Sequence, residues 1–504
     1  MPPNVCSAVE TAAAASEAAS AQATAADCLP RATDLTDLLV PAMRVHQKSP
    51  FKAVMGNPTM DMINMAGGVP HPATFPLLQL QAKVKAPARG AGGQDATLVL
   101  DKTQPRGTVE SLDELLQYGA GCGVDSYCRF LRKHTQLVHS PRYADWDVIA
   151  SCGSTDAIGK AISLFCDVGD SIAVEQWTFP GALSSLARGG VAAVPVAMDG
   201  EGMMPAALDR ACISSRDSGR PLRVVYVVPT GQNPTGATMS LARRKAIYAV
   251  AQKHNLAIIE DDPYYFLQLG PPSPEQDGRA AGAAASDSEE YDSGCDAPAE
   301  EQPAGLLPSL LALDTDGRVV RLDSFSKIMA PNLRCGWITA PTYILDRLQI
   351  LNESTILQPS GLSQGVVSRL LNDVWGLDGW DAHLRDLRTE YRLRRNLFVR
   401  MARKHLAGLA EFAVPTAGMF VWIKVTSIDP ADPAATQRLL GGMRKAGVMM
   451  APATPFCSAG PAGAQRAGNH LRAAFALVDT DMFEPALQRL AQAIVAAAGG
   501  APAS

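Results

Sequence analysis

The chain has 504 residues, of which 47 % are hydrophobic, and carries 45 basic against 50 acidic side chains for a formal net charge of −5. That length and apolar content can bury a large core and more than one domain, and the weakly acidic balance leaves no electrostatic case for nucleic acid or an anionic membrane as partner. The ten cysteines show no CxxC pair and no Cys/His cluster at metal-site spacing, so free thiols and no metal are expected, and no apolar run approaches the roughly 20 residues a membrane helix needs.

Residues 1–32 are rich in Ala, Ser and Thr, and the first 30 contain no Lys or Arg. This composition fits neither an Arg-rich presequence nor a signal peptide, so a disordered tail and a cytoplasmic protein are expected. Order should begin at Asp34, a candidate helix N-cap. Ser49-Pro50-Phe51-Lys52 starts another short element, and Gly67-Gly68-Val69-Pro70-His71-Pro72 reads as a turn in which backbone can approach a ligand closely. Residues 82–110 read as an irregular surface excursion. Leu115-Leu116-Gln117-Tyr118-Gly119 precedes a helical stretch from about Ser126.

Trp146–Ala150 is a strand that turns through Ser151-Cys152-Gly153 into a helix beginning near Ser154 and Thr155. The free N–H groups of a helix start form an anion site that the macrodipole strengthens, so these two residues are phosphate-cradle candidates. The strand Ser171–Glu175 leads to Phe179. The apolar strand Val224–Val228 ends in Pro229-Thr230-Gly231-Gln232-Asn233-Pro234-Thr235-Gly236, and its composition suits a sheet covered on both faces. Ala257–Glu260 is another buried strand, delivering Asp261-Asp262-Pro263-Tyr264-Tyr265. A carboxylate at such an edge needs a cation. Residues 270–305 turn to Pro, Gly, Ala, Ser and acids with Arg279 as the one basic residue, the composition of a disordered acidic insertion.

Val319–Asp323 is a strand that ends in Ser324-Phe325-Ser326-Lys327, with Arg334 seven residues further on. A lysine held partly desolvated among hydroxyls loses its proton more readily and becomes a nucleophile suited to Schiff-base chemistry. The serines Ser324 and Ser326 and the arginine fork of Arg334 suit a phosphate. From about Pro341 to His405 the chain reads helical, with one long connecting helix. Val414–Ile423 is a further strand. In Asn469–Phe475 an arginine, Arg472, sits within an apolar run, where its charge must be paired; its planar fork fits a carboxylate.

The pattern Ser-Phe-Ser-Lys-x6-Arg-x-Gly resembles the cofactor-lysine segment of fold-type I pyridoxal-phosphate aminotransferases. Asn233-Pro234-Thr235-Gly236 after a buried strand, Asp261-Asp262-Pro263-Tyr264-Tyr265 and Arg472 are similar to further motifs of that family, in the same order. The resemblance implies an α/β fold with a mostly parallel seven-stranded sheet in a large domain and a smaller α/β domain. On it the chain divides into a tail (1–32), an N-terminal arm (33–75), a large cofactor domain (76–345) and a linking helix with a small domain (346–504). It implies an obligate homodimer with shared active sites, pyridoxal 5′-phosphate bound at Lys327, and Tyr118 reaching the phosphate of the neighbouring subunit. Phe179 would stack on the cofactor ring, and Asn233 would bond its phenolic oxygen. Asp262 would pair with the pyridine nitrogen and Tyr265, three residues on, with the phenolic oxygen, with Asp261 as the competing acid. Gly68 would lie against the substrate carboxylate that Arg472 clamps, and Lys52 would meet a distal carboxylate.

Within the family the motifs look most like the aromatic and 2-aminoadipate/kynurenine aminotransferases in their long fungal form. The implied reaction is ping-pong transfer of an amino group to 2-oxoglutarate, with an aromatic amino acid preferred and 2-aminoadipate or kynurenine as other donors. The competing readings are 2-aminoadipate or kynurenine as the main donor, or a lyase or decarboxylase on the same fold.

Overall fold

The computed structural model describes residues 29–45, 68–85, 95–103, 107–271, 305–430, 432–460, 463 and 468–498. Lys52, most of the tail and residues 272–304 of the acidic segment lie outside them. The first strands, β1 (Gln79–Val84) and β2 (Ala96–Asp101), form an antiparallel hairpin. This corrects the expectation of an irregular excursion over 82–110. Leu80, Ala82 and Val84 alternate with Gln79, Gln81 and Lys83, a half-buried strand pattern, and Leu98 and Leu100 pack with Leu112, Leu115 and Leu370.

The central sheet contains β3 (Trp146–Ser151), β4 (Ser171–Glu175), β5 (Ala192–Val196), β8 (Val224–Val227), β9 (Ala257–Asp261), β10 (Val319–Ser324) and β11 (Gly336–Pro341); the two-residue strands β6 (Met198–Asp199) and β7 (Gly202–Met203) pair separately. Its seven strands lie in the order β3-β11-β10-β9-β8-β4-β5, all parallel except β11, which is antiparallel to both neighbours. Period-two alternation sends Val174, Val224, Tyr226, Ile259 and Leu322 into one apolar core. Ala173, Val225, Val227, Ile258 and Val319 enter a second core on the opposite face. Burial on both faces explains why these strands read as continuous apolar runs.

A second, antiparallel sheet has the order β12 (Ala410–Glu411), β13 (Phe420–Val425), β15 (His470–Ala474), β14 (Ala451–Pro452), with Trp422 opposite Arg472. The strand expected over Val414–Ile423 thus begins only at Phe420, after the turn at Gly418 with φ +75°. The helical stretch expected over Pro341–His405 is broken into Thr342–Thr355, Gly361–Arg369, a π-helical turn Leu370–Trp375 and Gly376–Leu406. Leu357 at φ +64° and Pro359, which has no N–H to continue a helix, make the first break. Among the described residues no helix is long and apolar enough to cross a membrane.

Candidate active site

The parallel strands β4, β8, β9 and β10 all deliver their C-terminal ends to one side of the sheet, the usual place for a ligand in a doubly wound fold. There the second sheet faces them across a cavity of about 390 Å³ lined by Lys327, Arg334, Asn233 and Arg472 among others. Lys327 leaves β10 through a turn pinned by Phe325, which is buried against Trp337 and Tyr127 at ring distances of 5.1 and 6.1 Å. Burial, and then the nearby positive charges of Arg472 and Arg334, lower the pKa of the Lys327 amine. All three effects disfavour the ammonium and favour the nucleophilic amine.

One end of the cavity is an anion cup. Gly153, at φ +84°, turns the chain from β3 into the helix Ser154–Phe165, so Ser154 and Thr155 occupy its first positions. Arg334 crosses this turn and donates to the Cys152 carbonyl at 2.6 Å and the Pro331 carbonyl at 3.0 Å, with Ser326 Oγ at 3.4 Å. A Cβ on Gly153 would stand 2.6 Å from Arg334 Nη2, so only glycine lets the guanidinium lie there. Asp156 accepts from the Cys152 N–H at 3.0 Å and pairs with Lys160 at 2.7 Å, which holds the turn from behind. Ser326 lines the cavity but Ser324 does not: it is 2 % exposed, and its hydroxyl donates to Ser326 Oγ at 2.8 Å. Ser324 therefore orients Ser326 rather than reaching the cavity itself.

The paired acids are where the structure departs most from the sequence expectation. Asp261 lines the cavity; Asp262 does not. Along β9 the side chains alternate, so Glu260 and Asp262 share the face opposite Asp261. There the fully buried Arg321 meets Glu260 at 3.1 Å, Asp262 at 3.2 Å and Asp323 at 2.8 Å. Asp262 also accepts from Thr230 Oγ1 at 3.1 Å. Its charge is thus spent on a buried structural network. Asp261 accepts from the Tyr226 hydroxyl at 2.6 Å through Oδ2, whereas Oδ1 has no partner among the described residues. Burial raises the pKa of both acids from 3.8 to about 7, and Asp262 Oδ1 likewise has no partner among the described residues, so what separates the two is that Asp261 lines the cavity.

The neighbouring tyrosines are placed by the turn that follows β9. Tyr264 lines the cavity, while Tyr265 is 1 % exposed and lies under the Arg321 guanidinium at 4.7 Å. The unused signal was Arg321-x-Asp323 within an apolar strand: a buried arginine demands acids on its own face, and Glu260 and Asp262 are the matching pair.

Asn233 and Phe179 both line the cavity. The Asn233 loop is set by close backbone contact, since Gly231 at φ +54° lies where a Cβ would be 2.6 Å from Gly418. Arg472 stands over the Phe420 ring at 4.4 Å and the Phe456 ring at 4.9 Å, and its buried Nε has no partner among the described residues. An arginine with a free edge in an aromatic frame is prepared for a carboxylate.

Gly68 and Tyr118 are not brought to this cavity. Gly68 is exposed with nothing within 4 Å of where its side chain would begin. The arm is instead held at Pro70, whose carbonyl accepts from Gln117 at 2.9 Å. Tyr118 is 54 % exposed in a separate surface groove beside Leu357 and Gln358.

The sequence matches the family model for aminotransferase class I and II over residues 115–490. The chain belongs to the class I and II aminotransferases. This aminotransferase is 35 % identical to an aromatic amino acid aminotransferase of Schizosaccharomyces pombe over 406 residues, covering 78 % of this chain and 82 % of the relative. It is 37 % identical to an L-tyrosine:2-oxoglutarate aminotransferase of Tapinella panuoides, covering 79 % and 75 % of the two chains. Its fold is similar to the crystal structure of aminotransferase Aro8 from Candida albicans, with a TM-score of 0.80 and 33 % identity over 93 % of this chain and 100 % of the other. The cofactor of the family is pyridoxal 5′-phosphate, and the residues present fit it: a lysine with a lowered pKa, an anion cup and an orphaned carboxylate oxygen lie around one cavity.

Proposed function

We propose that this aminotransferase transfers the amino group of an aromatic amino acid to 2-oxoglutarate and works as a homodimer. The observation that carries the reading is that Lys327, Asp261 and Arg472, the last framed by Phe420 and Phe456, line one cavity; in this reading the first two serve the cofactor and Arg472 the α-carboxylate of either substrate. The aromatic preference is supported by the relatives from Schizosaccharomyces pombe and Tapinella panuoides, whose names specify aromatic substrates, and by the apolar lining of Phe179, Tyr264, Met419 and Phe420.

When bound, pyridoxal phosphate supplies an electron sink for charge developing at the substrate α-carbon. Ser154, Thr155, Ser326 and Arg334 bind its phosphate, Phe179 covers one ring face, and Asn233 and Tyr264 serve the phenolic oxygen. Asp261 Oδ1 accepts from the protonated ring nitrogen. Arg472 orients the amino acid through its carboxylate. Lys327 Nζ would hold the cofactor, and its amine would move the proton at the α-carbon as base and afterwards as acid. Tyr118, outside the cavity of its own chain, serves the phosphate of the partner subunit.

Borohydride reduction followed by peptide mapping should place the cofactor on Lys327. Lys327→Ala should abolish turnover and still retain cofactor non-covalently. Label on another lysine would refute the assignment. Keto-acid release from Phe, Tyr, Trp, kynurenine, 2-aminoadipate and Leu, with 2-oxoglutarate as acceptor, should rank the aromatic donors first; 2-aminoadipate ahead of phenylalanine would overturn the ranking, and ammonia or CO2 release without glutamate would indicate a lyase or decarboxylase.

A further inference from the structure

We infer that Tyr226 is a positioning residue for the reaction: its hydroxyl occupies one oxygen of Asp261 and so fixes the other as the acceptor for the cofactor's ring nitrogen. The inference rests on the reading of Asp261 given above and adds a residue behind it. Tyr226 lies in β8, beside β9, with its Cα opposite Ile259. Asp261 is two residues beyond Ile259 and therefore on the same face of the sheet. The hydroxyl reaches Asp261 Oδ2 at 2.6 Å, and among the described residues it is the one hydrogen bond to that carboxylate, since Oδ1 has none.

The direction of this bond is fixed. Tyr226 is 1 % exposed, and burial followed by the charge of Asp261 pushes its pKa well above the ordinary phenol value. The phenol keeps its proton and donates. Donation to a carboxylate stabilises the anion, and here the anion is the useful form. With a cofactor bound, the shared proton can rest on the ring nitrogen or on Asp261. Removing the phenolic donor makes the carboxylate more basic, draws that proton from the ring and weakens the electron sink. It also frees the carboxylate to rotate, so Oδ1 is no longer held toward the cavity. A merely structural tyrosine would behave otherwise, because phenylalanine fills nearly the same space in the apolar core shared with Val224 and Ile259.

The test is a double-mutant cycle of Tyr226→Phe and Asp261→Asn in the full chain, read by pyridoxal-phosphate affinity of the apoprotein, by kcat and donor KM, and by thermal melting of the apoprotein. A hydrogen bond to a charged group is typically worth a factor of roughly ten to a hundred. Tyr226→Phe is expected to weaken cofactor affinity and lower kcat by about that factor with donor KM little changed. In the Asp261→Asn background the same substitution should add less than about twofold to either loss, because the group it acts through is gone. If Tyr226→Phe leaves affinity and kcat intact while Asp261→Asn cripples both, the inference fails and the reading of Asp261 stands. If its effect is equally large in both backgrounds, or tracks only a lowered melting temperature, Tyr226 acts by packing and the inference fails. If Asp261→Asn itself changes neither affinity nor kcat, the reading of Asp261 and the inference fall together.

Discussion

Arg472 Nη1 donates to Asn233 Oδ1 at 2.8 Å, tying the second sheet to the loop that follows β8. One residue comes from β15 and the other from a loop of the central sheet, 239 positions apart. The bond takes one edge of the guanidinium while Nε has no partner among the described residues, so Arg472 is held in place with an edge left for a carboxylate.

Asn233→Asp should therefore be more harmful than its small size suggests. A carboxylate at that position would pair with Arg472 and compete with the substrate for the same cation. KM for both amino donor and 2-oxoglutarate should rise by roughly ten- to a hundredfold, the scale of a charge-assisted hydrogen bond. Steady-state kinetics with both substrates decide it, and an unchanged KM for both would mean that Arg472 does not hold the common carboxylate.

The two adjacent aspartates should separate cleanly. Asp261→Asn should lower kcat by about a hundredfold or more, the scale of losing one preorganised electrostatic group, with little effect on the melting temperature of the apoprotein. Asp262→Asn should instead destabilise the fold by about 3 kcal/mol, because Arg321 loses one of its acids in a buried network. Its folded fraction should keep most of its kcat. Denaturant titration and kinetics on the two variants check both halves, and the reverse pattern would return the cofactor role to Asp262.

Gly153→Ala combines two costs. The position sits at φ +84°, and the added methyl would stand 2.6 Å from the Arg334 guanidinium. Arg334 must then leave the Cys152 carbonyl, and the anion cup opens. Cofactor should be lost on dialysis under conditions that leave the parent protein loaded, and the apoprotein should remain folded. Retention equal to the parent would show that Arg334 is not needed to hold the phosphate.

Glu175, at the end of β4, accepts from the Val228 N–H at 3.2 Å and Gln232 Nε2 at 3.0 Å, and burial raises its pKa from 4.5 to about 8. Between those values the folded protein holds a proton that the unfolded chain has released. This contribution is complete below about 4.5 and is lost as pH rises toward 8. Glu175→Gln should flatten the stability–pH curve of the apoprotein in that window, by at most about 1.4 kcal/mol per pH unit for one proton. Urea unfolding of parent and variant between pH 5 and 8 tests this, and parallel curves would show that Glu175 does not carry the proton.

Much of the site can be read along the chain because it is built from local turns. Lys327, Asn233 and the Ser154–Thr155 helix start each follow a short apolar strand, and the same few residues that end the strand present the functional group. Arg472 was legible for a different reason, since a charge in an apolar strand is costly unless it has work to do. Asp262 and Tyr265 do not line the cavity, and each lies next to a residue that does, Asp261 and Tyr264, whereas Ser324 lies behind Ser326, to which it donates. At a strand end a shift of one position exchanges the two faces of the sheet.

The sequence by itself determined the strand-and-helix alternation, the family and the three strand-end turns that bring Ser154, Asn233 and Lys327 to the cavity, since these depend on residue type and short spacing. Only the tertiary structure decided which of Asp261 and Asp262 meets the cavity. That choice rests on where Arg321 places its charge one strand away, and on Tyr226 arriving from the other neighbouring strand to hold Asp261. Contacts between strands belong to the folded sheet: Arg321-x-Asp323 signals a buried charge that needs acids, and the pairing of β10 with β9 supplies Glu260 and Asp262.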